Sequence, residues 1–204
     1  HAAGAPATAP RRHIIDNRPW STPLRACIII RSYMHNGQKI ITHIHQTPCG
    51  ALLLGSFGNS LCLCDWLMER PHNHVENRLR RMLGADFEQG CTPTIETTTQ
   101  QLEAYFAGER QTFDVPLLFA GTAFQKTVWN ILLKIPFGKT VCYSEIAKAI
   151  GRPRAVRAVA VAIGANAISV IAPCHRVVGS DSSLTGYRGG LGKKEYLLRL
   201  EHAI

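Results

Sequence analysis

Along the first third of the chain, apolar residues come in short blocks separated by turn formers. Residues 27–30, 39–45, 51–54 and 61–66 are apolar or β-branched, and Asn36-Gly37 and Gly58-Asn59 stand between them as turn signals. These blocks predict strands. The spacing then changes. Over residues 73–84, Val75, Leu79 and Leu83 recur every fourth position, which places them on one helical face. Residues 97–107 predict a second helix, closed by Gly108. Residues 123–135 carry Phe124, Val128, Leu132 and Ile135 on one face, and Pro136 stops that helix. Residues 144–150 and 153–165 predict two further helices around Gly151-Arg152, with Pro153 in the first turn of the second. The apolar run 168–172 predicts a short strand.

This order predicts an α+β fold. A small N-terminal sheet-plus-helix domain (25–118) is followed by a mainly helical C-terminal domain (119–204) containing a helix-turn-helix. Residues 1–24, rich in Ala, Pro and Arg, predict a flexible tail, and 108–121 form a connector. On the helix over 153–165, Val156, Val159, Ala160 and Ile163 fall on a core-facing side at about 100° per residue. Arg154 and Arg157 share another side, flanked by Ala155, Ala158, Ala162 and Ala165. Two arginines beside an alanine strip let a helix approach a polyanion closely. The same alanines would equally permit tight helix packing.

Composition narrows the classes. No apolar run reaches the roughly 18–20 residues a transmembrane helix needs, so no membrane partner is expected. Seven cysteines are too few for a disulfide scaffold, and the odd number leaves a free thiol, as in a reducing compartment. The net charge is +9, yet residues 1–120 contribute only +1 of it and residues 121–204 contribute +8. A positive field concentrated in one half draws polyanions, most often nucleic acid.

The chemical focus is Pro173-Cys174-His175-Arg176. A cysteine after a rigid proline and before a histidine is held by the backbone, and a thiolate is a strong nucleophile once a base or cation lowers its pKa. On neighbourhood alone, a buried cysteine of ordinary packing function or a cysteine hydrolase remains open. The wider stretch decides. "PCHRVVGSDSSLTGYRGGLGKKEYLLRLE" and the segment before it, so essentially 121–202, closely resemble the O6-alkylguanine-DNA alkyltransferases. "TPCGALLLGSFGNSLCLCDW" at 47–66 and "LEAYFAGER" at 102–110 are similar to that family in patches.

The resemblance implies a ribonuclease-H-like N-terminal domain and a single-turnover transfer of an alkyl group, typically methyl, from O6-alkylguanine and O4-alkylthymine in DNA to Cys174. His175 would deprotonate the thiol through a water, and Glu201 would orient the histidine. Asn166 would bridge the turn and the active site. Tyr143 would press on the target nucleotide's phosphate and protonate the leaving guanine. Arg157 would fill the hole left in the base stack, with Arg154, Ala158 and Arg176 also on the DNA. Ser169, Tyr187, Arg188 and Gly189 would line the substrate pocket. The partner implied is double-stranded DNA containing alkylated guanine, bound by a monomer in a bacterial cytoplasm or a eukaryotic nucleus.

Three features depart from the family or qualify it. Ala172 replaces the usual Val or Ile before the proline, which leaves a gap under the cysteine unless a neighbour fills it. Gly189 stands where some bacterial relatives carry tryptophan, which implies a roomier pocket. Cys27, Cys49, Cys62, Cys64 and Cys91, with His43, His45, His72 and His74, lack the usual zinc spacing, so no cofactor and no structural zinc are expected. Two rival classes remain: a lesion-binding relative without chemistry, against which the presence of Cys174 argues, and a cysteine hydrolase, which the basic C-terminal half does not suit.

Overall fold

A computed structural model describes residues 37–67 and 74–204. The expected tail over 1–24, the strand over 27–30 with Cys27, Asn36 of the first turn, and His72 lie outside the described residues. Three strands run in sequence as β1 (Ile40–Thr47), β2 (Gly50–Phe57) and β3 (Ser60–Trp66). Helix α1 (His74–Leu83) and the short strand β4 (Phe87–Gln89) follow. The sheet order is β3-β2-β1-β4, with β4 parallel to β1 and the other pairs antiparallel. Gly58 supplies the left-handed residue (φ 57°) that the Phe57–Ser60 hairpin turn requires. Strand β4 has too few apolar positions to show an alternating pattern and was not expected.

Helix α2 (Pro93–Phe106) begins four residues earlier than its apolar pattern suggests. Thr92 caps it by accepting from Ile95 N at 3.3 Å, and Pro93 occupies the first helical position, where a missing N–H costs nothing. Helix α1 sets Val75 and Leu79 in one apolar cluster with Ile40, Phe57 and Leu63. Helix α2 sets Ile95, Leu102 and Tyr105 in another with Leu52 and Leu54.

The C-terminal part holds α3 (Ala123–Leu132), α4 (Tyr143–Ala149), α5 (Val156–Gly164) and α6 (Leu191–Leu200). Two-residue strands, β5 (Val141–Cys142) and β6 (Val177–Val178), pair in parallel. Thr122 and Gln125 form a reciprocal capping box at the start of α3. That helix ends at Leu132 rather than at 135. Its last turn tightens through bonds from Lys134 N to Ile131 O and from Ile135 N to Leu132 O, both 3.0 Å. Helix α5 begins at Val156, not at Pro153, because Arg152–Ala155 form a separate turn (Ala155 N to Arg152 O, 2.9 Å). Val159, Ala162 and Ile163 face the core, so Ala162 leaves the alanine strip expected beside the arginines. No helix among the described residues is long and apolar enough to cross a membrane.

Residues 168–172 are not a strand. Ile168 makes one bridge to Cys64, and the chain then turns back, with Val170 at φ 68°. A positive φ is uncommon for a β-branched residue and costs of order 1–3 kcal/mol, so the surroundings must impose it. They do: Asn166 Nδ2 donates to Ile168 O at 3.2 Å and to Ala172 O at 2.9 Å, while its Oδ1 accepts from Ile168 N at 3.0 Å.

The outer edge of β3 joins the two halves. Leu61 exchanges bonds with Pro116 O and Leu118 N, both 2.8 Å. Cys64 N donates to Ala167 O at 2.8 Å and Cys64 O accepts from Ser169 N at 2.6 Å. Arg78 of α1 makes a second tie. Its Nη2 donates to Ala165 O at 2.7 Å, at the C-terminus of α5, and its guanidinium stands 5.3 Å from the Trp129 ring centroid. A cation at a helix C-terminus meets the negative end of the dipole. Arg78→Met should therefore lower stability by about 1–2 kcal/mol. Amide exchange at 162–166 should accelerate before that of the sheet. Urea denaturation and native-state hydrogen exchange check both.

Candidate active site

Cys174, His175 and Arg176 form a single 3-10 turn held by Arg176 N to Pro173 O at 3.0 Å. The turn runs directly into β6, which pairs with β5, so the cysteine is tied to the start of α4, where Tyr143 sits. Tyr143 and Tyr187 pack against the apolar cluster that contains Cys174. The Tyr143 hydroxyl lies 3.5 Å from Thr185 O.

Burial pushes the Cys174 thiol above its ordinary range; a hydrogen bond from Asn166 and the nearby Lys194 cation oppose that, while Asp65 adds to it. The thiol is therefore protonated at rest. His175 is fully buried, and burial lowers its imidazole although Glu201 opposes this. Its Nε2 lies 2.8 Å from Glu201 Oε1, and its Nδ1 is buried with no hydrogen-bond partner among the described residues. A carboxylate accepts only, so Nε2 carries the proton and Nδ1 presents a bare lone pair. This is the tautomer a general base needs.

Glu201 collects five donors among the described residues. Besides His175 they are Tyr105 Oη (2.7 Å), Arg176 Nε (2.8 Å) and Nη2 (2.9 Å), and Gly138 N (3.3 Å). Burial alone would raise this carboxyl, but the hydrogen bonds and charges of His175 and Arg176 outweigh it and hold the pKa at about 2. Arg176 is the clearest correction to the expected DNA contacts. It is buried, clamped on Glu201 and on Ile135 O, with Phe137 beside its guanidinium, so it does not reach the surface where a phosphate would lie. Arginine is usually at the surface, and its partner here lies 25 residues away.

The other expected residues divide into two groups. Arg154, Arg157 and Ala158 are exposed on and just before α5, together with Val161, which is 72% exposed and which the sequence did not single out. Ser169 is buried and donates to Asp65 Oδ1 at 3.3 Å. Arg188 Nη1 binds Asp65 Oδ2 at 2.6 Å, and the Tyr187 hydroxyl accepts from Trp66 Nε1 at 2.9 Å. Gly189 leaves no open space on its own Cβ side. A Cβ at that position would lie 2.4 Å from Trp66 Cδ1, so the space is already filled. Ala172 is likewise enclosed, within the cluster of Ile168, Ile171, Tyr105 and Leu197.

Four residues outside the expected set belong to the site: Tyr105, Asp65, Trp66 and Lys194. Lys194 is buried, donates to Val177 O and to Thr185 O (2.6 Å), and is lowered by burial to about 8. It thus ties the strand after the cysteine to the loop before Tyr187. Among the described residues, no group of three or more His, Cys, Asp or Glu side chains could hold a metal ion. Burial raises Cys62 to about 12, which disfavours the thiolate that zinc requires.

Two family models match the chain. One is the 6-O-methylguanine DNA methyltransferase DNA-binding domain, over residues 123–203; the other is the ribonuclease-like domain of the same enzyme, over 40–119. The methylated-DNA–protein-cysteine methyltransferase of Methanosarcina acetivorans is 44% identical over 163 residues, 78% of this chain and 96% of its own length. The protein of that name from Mycobacterium tuberculosis is 56% identical over 136 residues, 64% of this chain and 82% of its own. The crystal structure of Mycobacterium tuberculosis OGT in complex with DNA matches with a TM-score of 0.69 and 40% identity, covering 80% of this chain and 94% of that one.

The depressed Glu201 carboxyl makes folding favour its ionised form. That stabilisation is complete above about pH 5 and disappears as pH falls through about 2, a total of about 3 kcal/mol. Glu201→Gln should remove this acid limb and cost about 3–5 kcal/mol at neutral pH, because Arg176 is left buried without its counter-charge. Urea midpoints measured across the acid range check both.

Proposed function

Because the chain belongs to the methylated-DNA–protein-cysteine methyltransferase family, and repairs DNA by drawing an alkyl group onto a cysteine of its own, we propose that Cys174 is the acceptor and that each molecule acts once. The observation that carries this reading is a buried thiol followed directly in the chain by a fixed-tautomer histidine. Of the six cysteines described, Cys174 is the one followed by a histidine whose Nε2 is bound to a buried carboxylate and whose Nδ1 is bare.

In this reading a water bonded to His175 Nδ1 takes the thiol proton and passes it to the imidazole, and Glu201 stabilises the resulting cation. The sulfur attacks the alkyl carbon in line, the S–C bond forms as the C–O6 bond breaks, and the electron pair goes to guanine. The Tyr143 hydroxyl supplies the proton the departing guanine requires and recovers one from solvent. The thioether has no leaving group as good as guanine, so the protein is consumed. Lys194 and Asn166 stabilise the transient thiolate, and no step needs a cofactor.

DNA is the partner, and the O6 atom explains how it must be bound. O6 lies on the base-pairing edge, so the nucleotide has to leave the stack before sulfur can reach it. Arg157 is proposed to enter the vacated space, while Ala158 and the exposed Val161 let α5 sit close in the groove. Wedging side chains of this kind offset part of the unstacking cost. The substrates proposed are O6-alkylguanine and O4-alkylthymine in duplex DNA, met by a monomer in the nucleoid or nucleus. Residues 119–204 carry the chemistry in this reading, and the N-terminal sheet supports it.

Intact-protein mass spectrometry after exposure to an O6-methylguanine duplex should show a gain of about 14 Da, one per molecule, absent from Cys174→Ala. No gain with DNA binding retained would identify a lesion-sensing protein instead. Arg157→Ala should slow transfer from a duplex by ~10–100-fold and from a single strand, where no stack must be refilled, far less. Single-turnover rates on the two substrates measure this.

A further inference from the structure

Three successive residues of the loop before α6 are fastened to two residues of the N-terminal sheet. The Tyr187 hydroxyl accepts from Trp66 Nε1 at 2.9 Å, Arg188 is paired with Asp65 at 2.6 Å, and Gly189 abuts the Trp66 indole. A Cβ at Gly189 would lie 2.4 Å from Trp66 Cδ1, 2.7 Å from its Nε1 and 2.8 Å from Tyr187 Cε1. Contacts that short cannot persist, and a rigid ring cannot flex out of the way as a long aliphatic chain can. Trp66 ends β3, is 4% exposed and has the Lys193 ammonium 5.4 Å from its ring centroid. It is therefore held from the sheet and from α6. Tyr187 packs against both the cluster that contains Trp66 and the cluster that contains Cys174.

We propose that Trp66 sets the size of the alkyl group this protein accepts. It does from the N-terminal sheet what a bulky side chain at position 189 would do from the loop. It fills the volume facing Gly189 and pins the Tyr187 ring that borders the sulfur. Trp66 is a positioning residue, since it acts through Tyr187. A methyl on O6 fits without movement of that ring; a benzyl group needs the ring to retreat, and the indole blocks the retreat. The inference rests on the alkyl-transfer reading above, and it places the selectivity element outside the half of the chain that carries the chemistry.

The test is single-turnover transfer from duplexes carrying O6-methylguanine or O6-benzylguanine, with thermal melting of each variant alongside. Trp66→Leu should raise the benzyl-to-methyl rate ratio ~10-fold or more, the scale on which a pocket senses one or two carbons. Trp66→Phe keeps most of the ring and loses the donor to Tyr187, so its ratio should rise less. Gly189→Ala should slow both substrates, and adding Trp66→Leu should recover part of that loss, a coupling that independent sites do not show. An unchanged ratio in Trp66→Leu, with both rates reduced equally, would make Trp66 a packing residue and overturn the proposal. If Trp66→Leu fails to melt cooperatively, an unchanged ratio in Trp66→Phe together with an unslowed Gly189→Ala overturns it equally. A parent protein that takes no methyl group from the first duplex would overturn the transfer reading itself, a result separate from either.

Discussion

One carboxylate organises the reactive half of this molecule. Glu201 is buried at the end of α6, and it orients the histidine, neutralises the arginine and receives the hydroxyl of Tyr105 from the other half of the chain. A buried ion pair is not a reliable source of net stability, because desolvating two charges consumes most of their attraction. Its value lies in what it excludes. With five donors aimed at two oxygens, the carboxylate has little freedom to rotate, and the imidazole it holds has a single tautomer. The Cys174–Arg176 turn is therefore fixed from both sides of the cysteine. His175 and Arg176 are drawn to Glu201, and Ala172, two residues before the cysteine, is drawn to the Asn166 knot.

The knot in turn depends on the sheet. Cys64 offers its N–H and C=O to Ala167 and Ser169, so the turn carrying Val170 at φ 68° completes the hydrogen bonding of the β3 edge. An unpaired sheet edge is normally a liability, and here it becomes the surface on which the nucleophile's backbone is built. This gives the N-terminal half a role in holding the reactive turn. Tyr105 reaches the carboxylate, Asp65 and Trp66 reach Arg188 and Tyr187, and Arg78 reaches the end of α5.

The sequence reveals what is local. The PCHR turn, the asparagine, the helices with four-residue apolar spacing and the exposed arginines of α5 all have signals within a few residues of themselves. What it conceals is long-range. Tyr105 meets Glu201 across 96 positions and Trp66 meets Tyr187 across 121, and neither aromatic differs locally from an ordinary core residue. The run 168–172 reads as a strand because buried turns and buried strands share an apolar composition; only the Asn166 side chain bonds decide between them. Arg176 reads as a surface cation for the same reason, since nothing nearby announces its partner. Gly189 is instructive in the other direction. A missing side chain suggests empty space, but a residue from the opposite domain has taken it.

The resting electrostatics fit a protein that reacts once. Burial drives both Cys174 and His175 toward neutrality, with the thiol raised and the imidazole lowered. A standing thiolate would be the better nucleophile at every moment, and it would also be the better target for oxidation, which ends in irreversible products. For an enzyme that turns over, such losses are a small fraction of its events. For a protein whose one acceptor cysteine is its whole capacity, each premature reaction removes a molecule. Burial is the largest influence on the Cys174 thiol; Asp65 adds to it and Lys194 opposes it. The alkylated base supplies the electrophilic carbon, and guanine takes the electron pair of the C–O6 bond as it breaks. The neutral thiol is the less reactive form, so burial protects the acceptor until a substrate is seated.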